Sequence, residues 1–456
     1  HLRLQREVWL RACATEPSAK VQQRFERSTR QALRCNLART LLDESFIGFQ
    51  VRLSESAVLQ KFCGLWQLDQ IRVPSKSQLH RFADQADTKQ IQALLDRLLT
   101  QALAAGQAGQ VLGLEEPLNL DTCLLDSTCL PLNIHFPTDW VLLRDAVRTL
   151  GKATELIRKN GLKHRMRPPA EFIRRSNVMA IEMTPTRRKK DGKKKRKAIL
   201  RRMKKLRHCV ARHARKHREL VEQHGPVGEL KAGHIRQIIA RIDRILEQLP
   251  AAIEQAHERI IGERSVPNAR KSLSLYEADA QVLVRGKAGA EVEFGSQLLI
   301  GENPQGFILD WQLLSERSAN DSTLLQPSVE RVQERTRGCL RGVCTDRGFR
   351  SAANSRWLKE QGLRDATCPR DPVALGEQMQ DADFAQDQGR RAQTEGRIGI
   401  LKNVFLGGRL RRQGGVHQEV PVASAILAHN LWVLARRPEA EQKASAPPEP
   451  ELAQAA

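Results

Sequence analysis

A helix-patterned stretch from about Gly151 to Ile261 separates one strand-like run from a later group of strand-like runs, and no single sheet can absorb it. Within it, Ile199, Met203, Leu206 and Val210 recur four, three and four residues apart, the spacing of a packed helical stripe. A second stripe runs through Ile235, Ile238, Ile239, Ile242, Ile245, Leu246 and Leu249, and Gly225-Pro226 breaks the chain between them. The pattern predicts an antiparallel helical hairpin. Its first arm is strongly basic. The segment from Arg187 to Arg218 holds 18 Lys or Arg against one acid, Asp191, so it carries +17 of the chain's net +23.

Charge of that size points to a polyanionic partner, because cations placed on phosphates release condensed counterions. A solvated helix face normally mixes signs, which this run does not, so phosphate binding is the preferred reading. It names Arg187, Arg188, Lys189, Lys190, Lys193, Lys194, Lys195, Arg196 and Lys197 as DNA-binding candidates. The 456 residues leave room for two to four domains. The nine cysteines are scattered and form no CxxC pair, which argues against a disulfide framework or structural zinc and for a reducing cytoplasm. No run approaches the roughly 20 apolar residues of a membrane span. The first residues show no signal pattern, and the start at His1 is consistent with an initial segment missing or removed.

Residues 1–110 read as helical. Leu33, Leu37 and Leu41 share one face, and a longer stripe from Ile91 to Leu103 begins after Thr88 and ends at Gly106. Between them, Phe62–Trp66 and Ser77–Phe82 suit two short helices joined by a turn, as a helix-turn-helix or, preferably, part of a plain bundle. Leu118 to Asp126 reads as a buried strand ending in a carboxylate. Later strands are expected at Ala290–Ile300 and Gly306–Leu314 around the turn residues Asn303, Pro304 and Gly306, at Leu340–Thr345 before Asp346, and at Asp365–Cys368. Helices are expected at Gln386–Phe405 and Val422–Ala435, with a disordered tail rich in Pro, Ala and Glu over 436–456.

Asp126 and Asp346 thus close two strand-like runs, and Glu395 lies in a helix with Arg391 and Lys402 within roughly 40° of it on a 3.6-residue period. Two-metal phosphoryl transfer needs such a set, two carboxylates at neighbouring strand ends completed by one from a helix. Each piece has an ordinary reading by itself. Asp-Ser-Thr makes Asx-turns, Asp-Arg-Gly makes strand-to-loop turns, and a Glu among cations is usually a surface ion pair.

The combination resembles the DDE class of bacterial insertion-sequence transposases. Asp126 to Asp139, DSTCLPLNIHFPTD, resembles their first catalytic block, and Leu340 to Gly348, LRGVCTDRG, their second. Their third block carries Tyr, two residues, Arg, three residues, Glu, six residues, Lys; Arg391, Glu395 and Lys402 match, while Gln388 stands at the Tyr position. Arg285-Gly286-Lys287, Glu293-Phe294-Gly295 and Asn320-Asp321 are softer matches. The resemblance implies an α/β fold, an RNase H-like mixed sheet flanked by helices, with an N-terminal helical domain and a long helical insertion between the first and second strands. Asp126 would end the first strand, and Asp346 would follow the fourth. It implies end-binding by residues 1–110, a catalytic core from 115–150 and 282–435, and a basic insertion at 151–265.

It further implies two Mg²⁺ or Mn²⁺ ions on Asp126, Asp346 and Glu395, with terminal inverted repeats and target DNA as double-stranded partners. No membrane partner is expected, and the active form is expected to be a homo-oligomer, a dimer, in the bacterial cytoplasm at the nucleoid. The activity would be metal-dependent cleavage at element ends followed by strand transfer. Alternatives are a catalytically inactive, transposase-derived DNA-binding protein and a nuclease of the same fold.

Other residues stand further from a role. Asn133 and His135 are accessory candidates for a phosphate or metal-bound water, with a loop hydrogen bond as the equal alternative. His208, His213 and His217 include an i, i+4 pair, but the cationic setting favours a DNA-facing surface over a metal site. Trp140 and Trp311 are candidates to stack on a flipped base.

Overall fold

The computed structural model describes residues 17–67, 70–85, 87–103, 114, 117–188, 190–287, 290–316, 320–410 and 414–437. Lys189 and the expected tail from residue 438 onward lie outside them, as do residues 1–16. The sheet is built on β1 (Thr122–Pro131), whose residues are buried on both sides along most of its length. β1 pairs antiparallel with β3 (Ala290–Glu302) and parallel with β5 (Gly342–Thr345), and β5 pairs parallel with β6 (Arg364–Thr367). On the far edge of β3, β2 (Gln281–Lys287) pairs with its first half and β4 (Ile308–Leu313) with its second. The path β4-β3-β1-β5-β6, two antiparallel pairings followed by two parallel ones, is the mixed sheet of an RNase H-like fold.

Asparagine and glycine set the β3–β4 turn as the sequence indicated. Gly306 takes a φ of 86°, and a Cβ there would meet Arg397 Nε at 2.6 Å. Asn303, fully buried, accepts from the backbone N–H of Gln305 and Phe307 through Oδ1. Such Asx chemistry satisfies amides that a tight turn would leave orphaned.

Helices cover both faces. On one, α10 (Leu325–Arg335) and α11 (Ala352–Glu360) pack Leu325, Val329, Val332 and Leu358 against Cys123, Leu125, Leu299 and Val343. Asp310 of β4 is buried there, but Ser328, Arg331 and Arg335 donate to it, so its charge is paired. After the short α12 (Pro372–Gln378), α13 (Ala382–Ile400), a π-helical turn over Leu401–Phe405, and α14 (Gly415–Ala435) close the core on the other face through Ile398, Leu401, Phe405, Val422 and Ile426.

The helical segment between β1 and β2 contains four helices, not the hairpin alone. It begins at Asp139, earlier than the Gly151 expected, with α6 (Asp139–Lys159) and α7 (Pro169–Met183), followed by α8 (Gly192–His224) and α9 (Ala232–Ile260). Ile199, Met203, Leu206 and Val210 of α8 and Ile235, Ile238, Ile242, Ile245 and Leu249 of α9 bury against Leu143, Val147, Leu150 and Ile157 of α6. The hairpin's apolar stripes are therefore shared with α6 and α7.

The N-terminal region is helical from Ala19 to Leu103, with α1 (Ala19–Leu41), α2 (Phe46–Glu55), α3 (Ala57–Cys63), α4 (Lys76–Ala83) and α5 (Thr88–Leu103). The two short helices are joined not by a simple turn but by a small antiparallel hairpin, Trp66–Gln67 with Gln70–Ile71. Ser45, Ser56 and Ser75 cap three of the helices by accepting from the N–H three residues on. Among the described residues, no helix is long and apolar enough to cross a membrane.

Two of the three histidines read as a DNA-facing surface turn inward. His217 is fully buried on α8, beside His164 and Arg158, and His213 lies half-buried against His164 and Phe172. Only His208 of the three is exposed. Burial first, then the neighbouring cations, lowers the pKa of both His213 and His217 below the usual 6.5. A folded-state pKa below the unfolded one means stability that is complete above about pH 6.5 and lost as pH falls through the unfolded value towards the folded one. Melting at pH 5 should therefore begin in α6–α9, read as early amide exchange there, and His217→Gln should narrow the difference between pH 7.5 and pH 5. Equal exchange at both values would refute this account.

Candidate active site

Register brings two of the three carboxylates together. β1 and β5 pair in parallel up to Leu125 opposite Thr345, so Asp126 and Asp346 occupy the next, adjoining positions, about 4.8 Å apart in backbone spacing. Asp126 does not end its strand, as expected, but sits in the middle of it. β1 continues to Pro131 against β3, while its pairing with β5 stops at Leu125, one residue before Asp126. Ser127 N–H donates to Asp126 Oδ1 at 2.7 Å, and Gly348 N–H donates to Asp346 Oδ1 at 2.8 Å. Both aspartates are half-buried.

Alternation along β1 fixes the face. Leu124 packs with Cys344, Ala366 and Phe384 of α13, and Thr128 accepts from Lys402 Nζ at 3.4 Å, so Asp126 between them faces α13 as well. α13 is tied down at both ends of its site-facing stripe. Gln388 Nε2 donates to Ala366 O at 2.7 Å and lies 3.3 Å from Thr345 O, fixing the helix to the ends of β5 and β6. Lys402, in the π-helical turn, fixes it to β1. Glu395 is about two turns from each tether and thus above the strand positions of Asp126 and Asp346. It is exposed. Arg391, one turn before it, donates from Nε to Gln388 Oε1 at 3.4 Å.

The sequence pointed to Asp126, Asp346, Glu395, Arg391 and Lys402 and missed what holds them. Gln388, noted only as a departure at a tyrosine position, is the helix anchor. Glu302 of β3, nearly inaccessible, accepts from Thr394 Oγ1 at 2.8 Å and Arg397 Nη1 at 2.9 Å and so clamps α13 from beneath. Burial raises the Glu302 pKa, against the pull of Arg397. Asp321, in the turn before α10, accepts from Ser127 Oγ at 3.0 Å and Gln297 Nε2 at 2.8 Å, and its Oδ2 lies 3.4 Å from where a Cβ on Gly348 would stand. Periodicity could not have found these pairs, because each joins elements far apart in sequence.

Other candidates are placed elsewhere. Asn133 and His135 are exposed in the loop beyond β1. Trp140 packs half-buried on the helical core, and Trp311 packs half-buried against the sheet core and donates to Gln92 Oε1 at 2.9 Å. Arg187 and Arg188 lie in a 3-10 turn before α8, and Lys190, Lys194 and Lys195 are exposed. Lys193 and Lys197 both reach Glu263 at 2.8 Å, and Arg196 is half-buried.

Asp126, Asp346 and Glu395 offer the hard oxygen donors that Mg²⁺ or Mn²⁺ requires. Among the described residues, no three His, Cys, Asp or Glu side chains stand close enough together to hold a metal ion. The donor chemistry fits, with Glu395 on the exposed side of the set.

Loosening α13 should weaken the site. Gln388→Ala removes the anchor at Ala366 O, and Lys402→Ala removes the one at Thr128. Arg391→Ala removes the cation beside Glu395. Each should lower metal-dependent DNA cleavage by about 10- to 100-fold, the range for losing support of a metal ligand. DNA binding tighter than wild type in Arg391→Ala or Lys402→Ala would contradict this placement.

No curated protein and no solved structure matches the chain. Residues 273–431, which run from the approach to β2 through most of α14 and include Asp346, Arg391, Glu395 and Lys402, match the family of the transposase DDE domain. This region is therefore similar to the DDE domain of transposases, and it lies in a sheet of RNase H-like order.

Proposed function

We propose that the chain cuts DNA at the ends of a mobile element and joins the freed 3′ ends to target DNA. The observation that carries this reading is the register of β1 on β5, which sets Asp126 beside Asp346 under the helix of Glu395. These three carboxylates would hold two divalent cations, Mg²⁺ or Mn²⁺. When bound, the ions supply activation of the attacking oxygen and stabilisation of the leaving oxygen. Arg391 and Lys402 flank Glu395, where each can hold a backbone phosphate or orient the carboxylate. Ser127 N–H holds Oδ1 of Asp126, and Gly348 N–H holds Oδ1 of Asp346.

The helical region before β1 would bind element ends, and α8 with its preceding turn would contact the backbone of any duplex. A dimer would synapse two ends, acting at the bacterial nucleoid. Incubation with double-stranded DNA carrying the element ends, target plasmid and Mg²⁺ or Mn²⁺ tests the reading. Cleaved ends joined to target, with none in chelator, are expected. Cleavage without joined products would make the chain a nuclease of this fold, and binding without cleavage would make it a DNA-binding descendant.

A further inference from the structure

We infer that a second phosphate-binding site lies on the opposite flank of α13, where Arg341, Arg390 and Arg437 line a cleft that takes a DNA backbone. The inference rests on the DNA-acting reading above. The cleft has a volume of about 700 Å³ and opens at the amino ends of β1 and β5, away from the carboxylates. Arg390 and Arg397 present to it a stripe of α13 that lies roughly 140–160° around the helix from Glu395. One helix therefore separates two different surfaces.

The charge in this cleft is not internally balanced. Arg364 is committed to Asp387 at 2.6 Å and Asp383 at 3.2 Å, and Arg397 to Glu302 at 2.9 Å. Arg341 and Arg437 form no ion pair among the described residues, and Arg390 donates only to the neutral Gln393 Oε1 at 3.4 Å. Of the two acids lining the cleft, Asp387 is taken by Arg364, which leaves Asp121 against three guanidinium groups. Cations held this way repel one another unless an anion lies between them.

The wall is fixed before any ligand arrives. Asn303 Nδ2 donates to Asn119 O at 2.9 Å, and Asn119 N–H donates to Gln305 Oε1 at 3.2 Å, which ties the start of β1 to the β3–β4 turn. Three arginines drawn from separate elements, before β5, on α13 and after α14, suit successive phosphates better than a single compact anion, and guanidinium forks match phosphate oxygens in pairs. Along β1, Thr122 at the cleft is four residues from Asp126, about 13 Å. A duplex spans that distance in about four base pairs. The cleft is within reach of the same DNA that meets the carboxylates.

The test uses the full chain and a duplex of fixed length. Arg341→Gln, Arg390→Gln and Arg437→Gln together should reduce the slope of log affinity against log salt by about 2 to 3, at about 0.9 for each phosphate no longer neutralised. In the wild-type chain, duplex DNA should protect these three arginines from phenylglyoxal, read by peptide mass. That measurement still decides the matter if the triple variant misfolds. An unchanged slope in a folded variant, or no protection by DNA, overturns the inference, as does protection by pyrophosphate where DNA gives none. A wild-type chain that binds no DNA would overturn the functional reading and this inference together.

Discussion

Asp126→Asn, Asp346→Asn and Glu395→Gln should each reduce Mg²⁺-dependent cleavage by about 1000-fold or more while leaving DNA affinity within about twofold of wild type. The rate loss corresponds to about 4 kcal/mol of transition-state stabilisation, the size expected when an ion that stabilises attacking and leaving oxygens is lost. Affinity should hold because the DNA surface is carried by cations, and removing one negative charge from the rim opposes nothing in binding. The fold should hold as well. Asp126 and Asp346 take their resolved hydrogen bonds from backbone N–H groups, and an Asn Oδ1 can accept the same bonds. Glu395 is exposed, and Gln keeps its size and an acceptor oxygen. Single-turnover cleavage with Mg²⁺ and with Mn²⁺, beside a binding titration in chelator, separates the two quantities. A variant that keeps near-wild-type cleavage removes that residue from the site.

The legible part of this site was the part written in local sequence. Apolar runs that end in Asp126 and Asp346, and a helix with Arg391, Glu395 and Lys402 at fixed spacing, are statements about neighbours in the chain. β5 appears as a short apolar run because a strand buried on both faces needs no alternation. The position of Asp126 within β1 was not legible. The polar pair Ser127-Thr128 looks like a turn, yet Thr128 accepts from Lys402 and Ser127 donates to Asp321, so their hydroxyls are satisfied inside a continuous strand. α6 was read late for a related reason. Its first turns carry Asp139 and Asp145 in buried positions, which breaks the apolar count. Gln255 and Arg259 of α9 satisfy Asp139 from a distance of more than a hundred residues. Arg397 reads as one more cation of a basic helix, but Glu302 makes it a clamp. Tertiary partners of this kind decide the role of a polar residue, and a single sequence does not display them.

Replacing the basic residues from Arg187 to Arg207 with Gln should weaken DNA binding for every sequence and flatten its dependence on salt. Each phosphate that the protein no longer neutralises lowers the log–log slope by about 0.9, so six of them would lower it by about 5 and remove a roughly thousandfold fall in affinity between 50 and 200 mM salt. The structure sorts these residues by expected effect. Lys190, Lys194 and Lys195 are exposed and Arg201 and Lys205 lie on the outer face of α8, so they should carry most of the change. Lys193 and Lys197 already share Glu263, and a phosphate must compete with that carboxylate, which the pair holds down to a pKa of about 2. Their replacement should cost less affinity per charge, and Glu263→Gln alone should steepen the salt slope by releasing them. The fold of α8 does not depend on the cations. Leu200, Met203, Leu206, Val210 and Ala214 bury its inner face against α6 and α9, so far-ultraviolet circular dichroism should change little. The carboxylates belong to the sheet and to α13, so cleavage at low salt should survive in the folded variant. An unchanged slope would show that this run is a solvated helix face, and the duplex would then have to be sought along the Arg341, Arg390 and Arg437 cleft instead.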